Sequence, residues 1–122
     1  MNANGVSLTT VQELMNCVAG GRILDAMNRY YDPSVTMQEN ANPPCAGLAA
    51  NIEREKAFVA SIREWRGLQI KAMAVNDDVS FIEYTIDFVN TSGIPMHNEQ
   101  VSVARWKNGK IIHERFYYDS GH

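Results

Sequence analysis

The chain has 122 residues, of which 45% are hydrophobic and 20% charged, and this composition is typical of one globular domain spanning residues 1–122. Its formal charge is −3, and its eleven Lys and Arg residues are scattered along the chain, which argues against a nucleic-acid-binding protein. No apolar run approaches the ~18 residues needed to span a bilayer. The first ten residues lack the basic region and apolar core of a signal peptide. We therefore expect a cytoplasmic protein with no membrane partner.

Cys17 and Cys45 are then expected to be free thiols in a reducing compartment. Cys45 follows Pro43-Pro44 in a loop, where an inert thiol is favoured over a nucleophile because nothing nearby in the sequence would make the site electropositive. No Cys/His cluster has zinc spacing, and no glycine-rich phosphate motif is present. We therefore expect no metal and no cofactor.

Two short helices are predicted at the start of the chain. Apolar residues at helical spacing favour a helix over Ser7–Ala19, capped by Thr9 or Thr10 and ended by Gly20-Gly21. A second helix is predicted over Arg22–Tyr31, because Asp32-Pro33 disfavours its continuation. The two helices should form a hairpin.

Strand and helix patterns then follow in turn. Alternation predicts a strand over Ser34–Glu39, and Asn40–Gly47 contains the asparagines and prolines typical of a loop. The longest helix is predicted over Leu48–Trp65, with an apolar stripe formed by Leu48, Ile52, Val59 and Ile62.

From Leu68 onward the period changes from 3.6 to 2, which predicts four strands: Leu68–Asn76, Val79–Val89, Pro95–Trp106 and Ile111–Asp119. They are separated by turns at Asp77-Asp78, Thr91-Ser92-Gly93 and Lys107-Asn108-Gly109. The order ααβαββββ indicates an α+β fold in which an antiparallel meander curls over the long helix.

Three stretches of this sequence resemble a known family. They are YYDPSV at residues 30–35, Gly47 at the entry of the long helix, and the closing hairpin WKNGKI through FYYD. They are similar to the SnoaL-like (polyketide cyclase-like) branch of the nuclear transport factor 2-like superfamily. The resemblance implies a cone-shaped curved antiparallel sheet wrapped on a long helix, with any chemistry inside the cone. It also implies a homodimer through the convex face of the sheet. Isomerases, polyketide cyclases, epoxide hydrolases, dehydratases and non-catalytic binders all share this fold, so the fold alone does not give an activity.

The predicted turns decide which residues face inward. A two-residue turn at Ser92-Gly93 places Glu83 opposite Ser102 and Asp87 opposite Asn98, and a three-residue turn before Lys110 places Ser102 opposite Glu114. One face then holds Phe81, Glu83, Thr85, Asp87, Gln100, Ser102, Glu114, Phe116 and Tyr118. The other holds Ile82, Tyr84, Ile86, Phe88, Val101, Val103 and Arg105. With the resemblance in mind we favour the first face as pocket and the second, apolar face as dimer interface, although a shift of one residue exchanges the two.

Three carboxylates are candidate catalytic residues. Glu39 lies near the position of the general base in the family's isomerases, although the matching residue is either Glu39 or Gln38, which cannot act as a base. Facing a cavity lined by Phe58, Trp65 and Phe116, Glu39 would have a raised pKa; otherwise it bonds loop amides. Glu83 and Asp87 share a face and could divide acid and base roles, or form ion pairs with Arg105 or Arg115.

Other side chains are candidates for binding a ligand. His97 is either a proton shuttle or an exposed residue near a turn, and Tyr31 and Tyr118 either orient a ligand carbonyl or are plain core tyrosines. Ser102 stands where the family's isomerases have an acidic residue, and Phe116 where its epoxide hydrolases have an aspartate, so both reactions are disfavoured. The full set of candidate ligand-binding residues is Tyr31, Phe58, Trp65, His97, Gln100, Ser102, Glu114, Phe116 and Tyr118.

Two hypotheses follow. The first is a cofactor-independent enzyme that carries out proton transfer, isomerisation or cyclisation on a small hydrophobic carbonyl compound. The second is a non-catalytic ligand-binding or dimerisation module of the same fold. Neutralising the candidate carboxylates should abolish turnover in the first case and leave ligand binding intact in the second.

Overall fold

The computed structural model describes residues 5–119; the ends of the predicted domain, residues 1–4 and 120–122, lie outside the described residues. Three helices are formed: α1 over Leu8–Ala19, α2 over Ile23–Tyr30 and α3 over Leu48–Ala60. Six strands form one sheet: β1 (Tyr31–Glu39), β2 (Cys45–Ala46), β3 (Ile62–Asn76), β4 (Val79–Asn90), β5 (Pro95–Lys107) and β6 (Lys110–Tyr118). The predicted α+β class and the antiparallel meander of the last four strands are confirmed.

The sheet has the order β2-β1-β6-β5-β4-β3. β1 lies parallel to β6, so the first long strand pairs with the last one. β3 is interrupted by register shifts, one of them between Trp65 and Gly67. Gly67 has φ +127°, a conformation that favours glycine, and such irregularities bend a strand. The curvature lets the inner face of the sheet surround the helices.

The third helix is shorter than predicted. It ends at Ala60, because Ser61 closes its last turn: the Ser61 amide bonds to the carbonyls of Ala57 and Phe58, and its hydroxyl donates to the Phe58 carbonyl. Ile62 then pairs with Asn90 as the first residue of β3. Ile62 and Trp65 fit a helical stripe equally well, so strand pairing overrides the local pattern here.

Smaller differences concern the loops. Ser7, and neither of the predicted threonines, caps α1 by accepting a hydrogen bond from the Thr10 amide at 3.1 Å. The predicted loop at 40–47 contains the short strand β2, in which Cys45 pairs with Met37. Asn108-Gly109 forms a two-residue turn, with Lys107 opposite Lys110, instead of the predicted three-residue turn.

The largest fully buried side chains lie at the end of the sheet that carries the Asp77-Asp78 and Asn108-Gly109 turns. Trp106 is 1% exposed, and its indole N–H donates to the Ser80 hydroxyl at 3.0 Å. Ile111, Val35 and Val11 are also fully buried. Of the helices in the described part of the chain, none has the length and apolar character needed to cross a membrane.

Candidate functional site

The register between β4 and β5 corrects the predicted facing of β4. The turn at Ser92-Gly93 was expected to have two residues, but Val89 pairs with Pro95, so the loop is one residue longer. Asn90 causes this difference, because its side-chain oxygen accepts hydrogen bonds from the amides of Ser92 and Ile94 at 3.0 and 2.9 Å, and Gly93 adopts φ +78°. A three-residue loop ending in a left-handed glycine is a common hairpin alternative to the two-residue turn.

Consequently Glu83 lies opposite Val101, and Asp87 lies opposite His97. The prediction that Glu83 and Asp87 face the interior beside Ser102 is therefore wrong, because a shift of one residue turns a whole strand over. The apolar residues of β4 that were predicted to form a dimer interface point inward and are buried: Ile82, Tyr84, Ile86 and Phe88.

The outer face of the sheet carries the displaced candidates. Asp87 Oδ1 lies 2.6 Å from His97 Nδ1, and both side chains are about half exposed. The sequence predicted that Glu83 and Asp87, if they form ion pairs, do so with Arg105 or Arg115. For Asp87 this is wrong, because its partner is His97. Glu83 is exposed and borders a shallow groove with Lys71. His97 is therefore a surface residue in contact with Asp87.

The inner face and the helices enclose a cavity of about 310 Å³. Helices α1 and α2 contribute apolar side chains only, including Leu14 and Met27. Aromatic rings line much of the remaining wall, and they come from Tyr31, Phe58, Trp65, Tyr84 and Phe116. The indole N–H of Trp65 donates to the Ala19 carbonyl at 3.0 Å, which fixes this ring against the end of α1.

Of the candidate ligand-binding residues, the structure places seven on the cavity wall: Tyr31, Phe58, Trp65, Gln100, Ser102, Glu114 and Phe116. Their positions on β5 and β6 agree with the predicted facing of those two strands, although Ser102 pairs with Phe116 instead of Glu114. Tyr118 lies beside the cavity instead of lining it. Burial and the neighbouring Glu39 carboxylate raise the pKa of Tyr118.

A hydrogen-bonded cluster forms the polar part of the wall. Glu114 is 4% exposed and accepts hydrogen bonds on both carboxyl oxygens, from the Tyr31 hydroxyl on one and from the Ser102 hydroxyl at 2.5 Å on the other. Burial raises the pKa of Glu114, while the hydrogen bonds from Ser102 and Tyr31 act in the opposite direction. Burial and the neighbouring Glu114 carboxylate raise the pKa of Tyr31. The cluster is therefore internally satisfied.

A second polar pair lies on the same wall. The Tyr84 hydroxyl donates to Gln100 Oε1 at 2.8 Å. Tyr84 bonds to the amide oxygen of Gln100 and leaves its NH₂ group available as a donor to a ligand oxygen. Burial is the main cause that raises the pKa of Tyr84.

Glu39 lies on the cavity wall but is engaged at its rim. Its carboxylate forms a salt bridge of 2.9 Å with Arg54, and the Glu39 side chain is 42% exposed. The neighbouring Gln38 side chain donates to the Asn42 carbonyl. Glu39 thus forms an ion pair with an arginine of α3, which neither interpretation of the sequence anticipated.

Glu55, on α3, is the functional candidate that sequence reasoning missed. It lines the cavity, and within residues 5–119 no hydrogen bond or ion pair engages its carboxyl group. Burial raises the pKa of Glu55 to about 7, the carboxylates of Glu114 and Glu39 act in the same direction, and Arg54 opposes them. The sequence did contain a sign of this position. Glu55 lies three residues after Ile52, so it is an acidic residue on the otherwise apolar stripe of α3.

Asn51 precedes Glu55 by one helical turn and anchors this part of the wall. It is 3% exposed, and its amide donates to the carbonyls of Cys45 and Gly47 at 3.0 and 2.8 Å. These bonds tie the short strand β2 to the start of α3. They therefore hold the helix that carries Glu55 against the sheet.

Solved structures with the same fold come from several bacteria. A candidate SnoaL-like polyketide cyclase from Jannaschia sp. CCS1 has 16% identity and a TM-score of 0.79, covering 92% of this chain and 84% of that one. An NTF2-like protein of unknown function from Burkholderia pseudomallei has 17% identity and a TM-score of 0.78, with coverages of 92% and 89%. A protein with a ketosteroid isomerase-like fold from Catenulispora acidiphila, solved in complex with trimethylamine, has 14% identity and a TM-score of 0.77, with coverages of 94% and 88%.

At these identities the likeness establishes the fold alone. No curated protein sequence matches this chain. The family described as the SnoaL-like domain matches residues 11–114, which include all three helices in part or whole and the strands as far as Glu114. The chain therefore belongs to the SnoaL-like domain family and has the NTF2-like fold.

Proposed function

We propose that the cavity binds a small hydrophobic carbonyl compound and that Glu55 transfers a proton on it without a cofactor. One observation carries the proposal: Glu55 presents a carboxyl group to an apolar cavity while it lacks a hydrogen-bonding partner in the described part of the chain. A general base works best when its pKa is close to the operating pH, and burial raises the pKa of Glu55 to about 7.

In the proposed reaction the Glu55 carboxylate takes a proton from the carbon next to the carbonyl group. The C–H bonding electrons move to the carbonyl oxygen, and the amide N–H of Gln100 is the donor available to stabilise that oxygen. Glu55 then returns the proton to another carbon of the same molecule, so that atoms and charge balance. The product is then an isomer. In a cyclisation the enolate carbon attacks a second carbonyl carbon of the same molecule, the C=O π electrons move to that oxygen, and Glu55 returns the proton to this oxygen, which becomes a hydroxyl group.

The other carboxyl groups of the wall have supporting parts in this proposal. Glu114 accepts hydrogen bonds from Tyr31 and Ser102, and in its ionised form it favours the protonated form of Glu55. Glu39 holds Arg54 at the rim. Among the three catalytic candidates found in the sequence, Glu39 is thus the one at the cavity, with a positioning role in place of a catalytic one.

The test is exchange of protons with solvent. Simple cyclic ketones are incubated with the protein in D₂O, and deuterium incorporation next to the carbonyl is followed by NMR. We expect exchange with the wild-type protein and a loss of at least about 100-fold in Glu55→Gln, since general-base catalysis contributes about 10²–10⁴-fold. Glu83→Gln, which makes the same charge change on the outer face, should retain the wild-type rate. Equal rates for wild type and Glu55→Gln would contradict the proposal.

A non-catalytic binding protein is the second candidate function. It is favoured by the closed arrangement of Glu114, Tyr31 and Ser102, in which every partner is already bonded within the protein. In that case ketone binding would be measurable by NMR line shifts in both wild type and Glu55→Gln, with no deuterium exchange in either protein.

We also propose that the protein forms a homodimer through the outer face of the sheet. Three large apolar side chains are exposed there, namely Phe81, Val101 and Tyr117. Exposed apolar patches on a sheet commonly mark an interface between chains. Sedimentation at micromolar concentration should give the mass of a dimer, and Val101→Glu should give a monomer. A monomeric wild-type protein under these conditions would refute the dimer.

A further inference from the structure

The charges on the cavity wall are unbalanced. Three carboxyl groups line it, from Glu39, Glu55 and Glu114, and the only basic side chain among the lining residues is Arg54. Arg54 is already paired with Glu39 at the rim. Glu55 and Glu114 therefore face the same cavity without a basic partner in the described part of the chain.

Two carboxylates that share an apolar enclosure repel one another, and burial adds to the unfavourable free energy of each. A positively charged ligand would relieve both effects, because it replaces like-charge repulsion by attraction. A neutral ligand would leave the repulsion in place, and an anionic ligand would increase it. The charge distribution thus discriminates among ligands that would fit the same space equally well.

The remaining wall is suited to the same class of ligand. Rings of Trp65, Phe58 and Tyr84 line the cavity together with the carboxyl groups. The negative face of an aromatic ring attracts an ammonium group, most strongly where water is excluded. Apolar side chains from α1 and α2 complete the enclosure and suit the hydrocarbon part of such a molecule.

We infer that the ligand of this cavity is a small organic cation, a hydrophobic molecule that carries an ammonium group, with Glu55 and Glu114 as its counter-ions. This inference rests on the proposed function and names its substrate class. It also gives the cation a part in the reaction. A positive charge in the cavity keeps Glu55 ionised at pH values where Glu55 would be protonated in the empty cavity. Binding of a cationic substrate would therefore convert Glu55 into the carboxylate that acts as the base.

Binding of a cation should therefore depend on pH. The ionisable groups that face the cavity are Tyr31, Glu39, Arg54, Glu55, Tyr84 and Glu114, with Tyr118 beside Glu39. Burial raises the pKa of Glu55 to about 7, and it also raises the pKa of Glu114. The affinity for a permanent cation should rise as pH increases through this region.

The experiment compares two probes of the same shape. Phenyltrimethylammonium carries a permanent positive charge, and tert-butylbenzene is its neutral counterpart. Affinities are measured at about pH 8 and about pH 5.5 by NMR titration of the full-length protein. We expect the cation to bind at least about tenfold more tightly than the neutral probe at the higher pH, and by a smaller factor at the lower pH.

Charge-changing variants complete the test. Glu55→Gln and Glu114→Gln should each weaken binding of the cation at least about fivefold, whereas Glu83→Gln on the outer face should leave it unchanged. Arg54→Gln should strengthen it, because a positive charge at the rim is removed. A variant that merely disturbs the cavity would weaken binding, so the opposite sign of the Arg54→Gln effect separates the inference from damage to the fold.

The outcomes separate the inference from the proposed function. Equal affinity for the two probes would overturn the inference while leaving a pocket for neutral carbonyl compounds. Deuterium exchange of simple ketones by Glu55 would then still support the proposed reaction. Failure of both probes to bind at any pH would overturn the inference and remove the support for a ligand cavity.

Discussion

Both faces of the sheet carry acidic side chains, but the surroundings of these side chains differ between the two faces. On the outer face Asp87 and Glu83 are solvated, and Asp87 pairs with a half-exposed histidine. On the inner face Glu114 is buried and satisfied by two hydroxyl groups, while Glu55 lines the same cavity from α3. A carboxylate in water gains little from its surroundings, whereas the same group beside an apolar cavity has its pKa raised to about 7. The face of the sheet toward which a carboxyl group points, and not the residue type, therefore decides whether the group lines the cavity or is solvated.

The largest expected difference between the faces is in packing. Trp106 and Arg105 are neighbours on β5 that point to opposite faces, and Trp106 is fully buried while Arg105 is exposed. Trp106→Ala should lower the free energy of unfolding by about 3–5 kcal/mol, since it leaves a cavity and removes the partner of Ser80. Urea unfolding measures this value. Arg105→Ala is the control, with an expected change below about 0.5 kcal/mol; equal losses would contradict the assigned facing.

Glu55 should make the stability of the protein depend on pH. Its pKa is raised from 4.5 to about 7, so the folded state binds the extra proton across this interval and stability falls as pH rises through it. Glu55→Gln should remove that slope, and near pH 8 the variant should be more stable than wild type by up to about 3 kcal/mol. The measurement is urea unfolding at about pH 4 and about pH 8. Glu83→Gln, on the outer face, should keep the wild-type slope.

Tyr31 tests the buried cluster. Tyr31→Phe removes one of the two donors to Glu114, and a buried acceptor that loses its partner costs about 1–3 kcal/mol of stability. The same removal of a hydroxyl group on the outer face, Tyr117→Phe, should have no measurable effect, because within residues 5–119 no hydrogen bond engages the Tyr117 hydroxyl. Thermal unfolding of both variants at one pH makes the comparison. Similar midpoints for the two variants would show that the inner cluster contributes nothing.

The smallest expected effect concerns the surface pair. The hydrogen bond and charge of Asp87 raise the pKa of His97, so this pair favours the folded state below the ordinary histidine pKa, and the contribution disappears as pH rises. Because both side chains are about half exposed, water and salt screen the pair. Asp87→Asn should leave the thermal midpoint unchanged at physiological salt. A clear drop would mean that the pair is shielded from water and salt.

Much of the fold was predictable because strong local signals agreed with it. The two-residue periodicity after Leu68 and the Asn108-Gly109 turn gave the meander, and the resemblance of residues 30–35 and of the closing hairpin gave the family. The end of α3 was not predictable from periodicity, since Ile62 and Trp65 suit a helix and a strand equally. Only the pairing of Ile62 with Asn90 decides between them.

The candidate site was harder to predict, because it depends on one hydrogen-bonding side chain. Asn90 lengthens the loop before β5 by accepting from two amides, and this single residue moves Glu83 and Asp87 to the outer face. Glu55 was detectable in principle as an acidic residue on the apolar stripe of α3. Its significance depends on the fold, because the fold brings Glu55 into one cavity with Glu114 from a distant part of the chain.

The most direct test of the account is a titration of the Glu55 side chain. Carbon-13 NMR of the carboxyl group reports its protonation state across pH, and Glu55→Gln identifies the resonance. We expect a midpoint near 7, and a lower midpoint in Glu114→Gln, in which the neighbouring negative charge is removed. A midpoint near the ordinary value of 4.5 would mean that Glu55 is solvated, and the proposed proton transfer would lose its base.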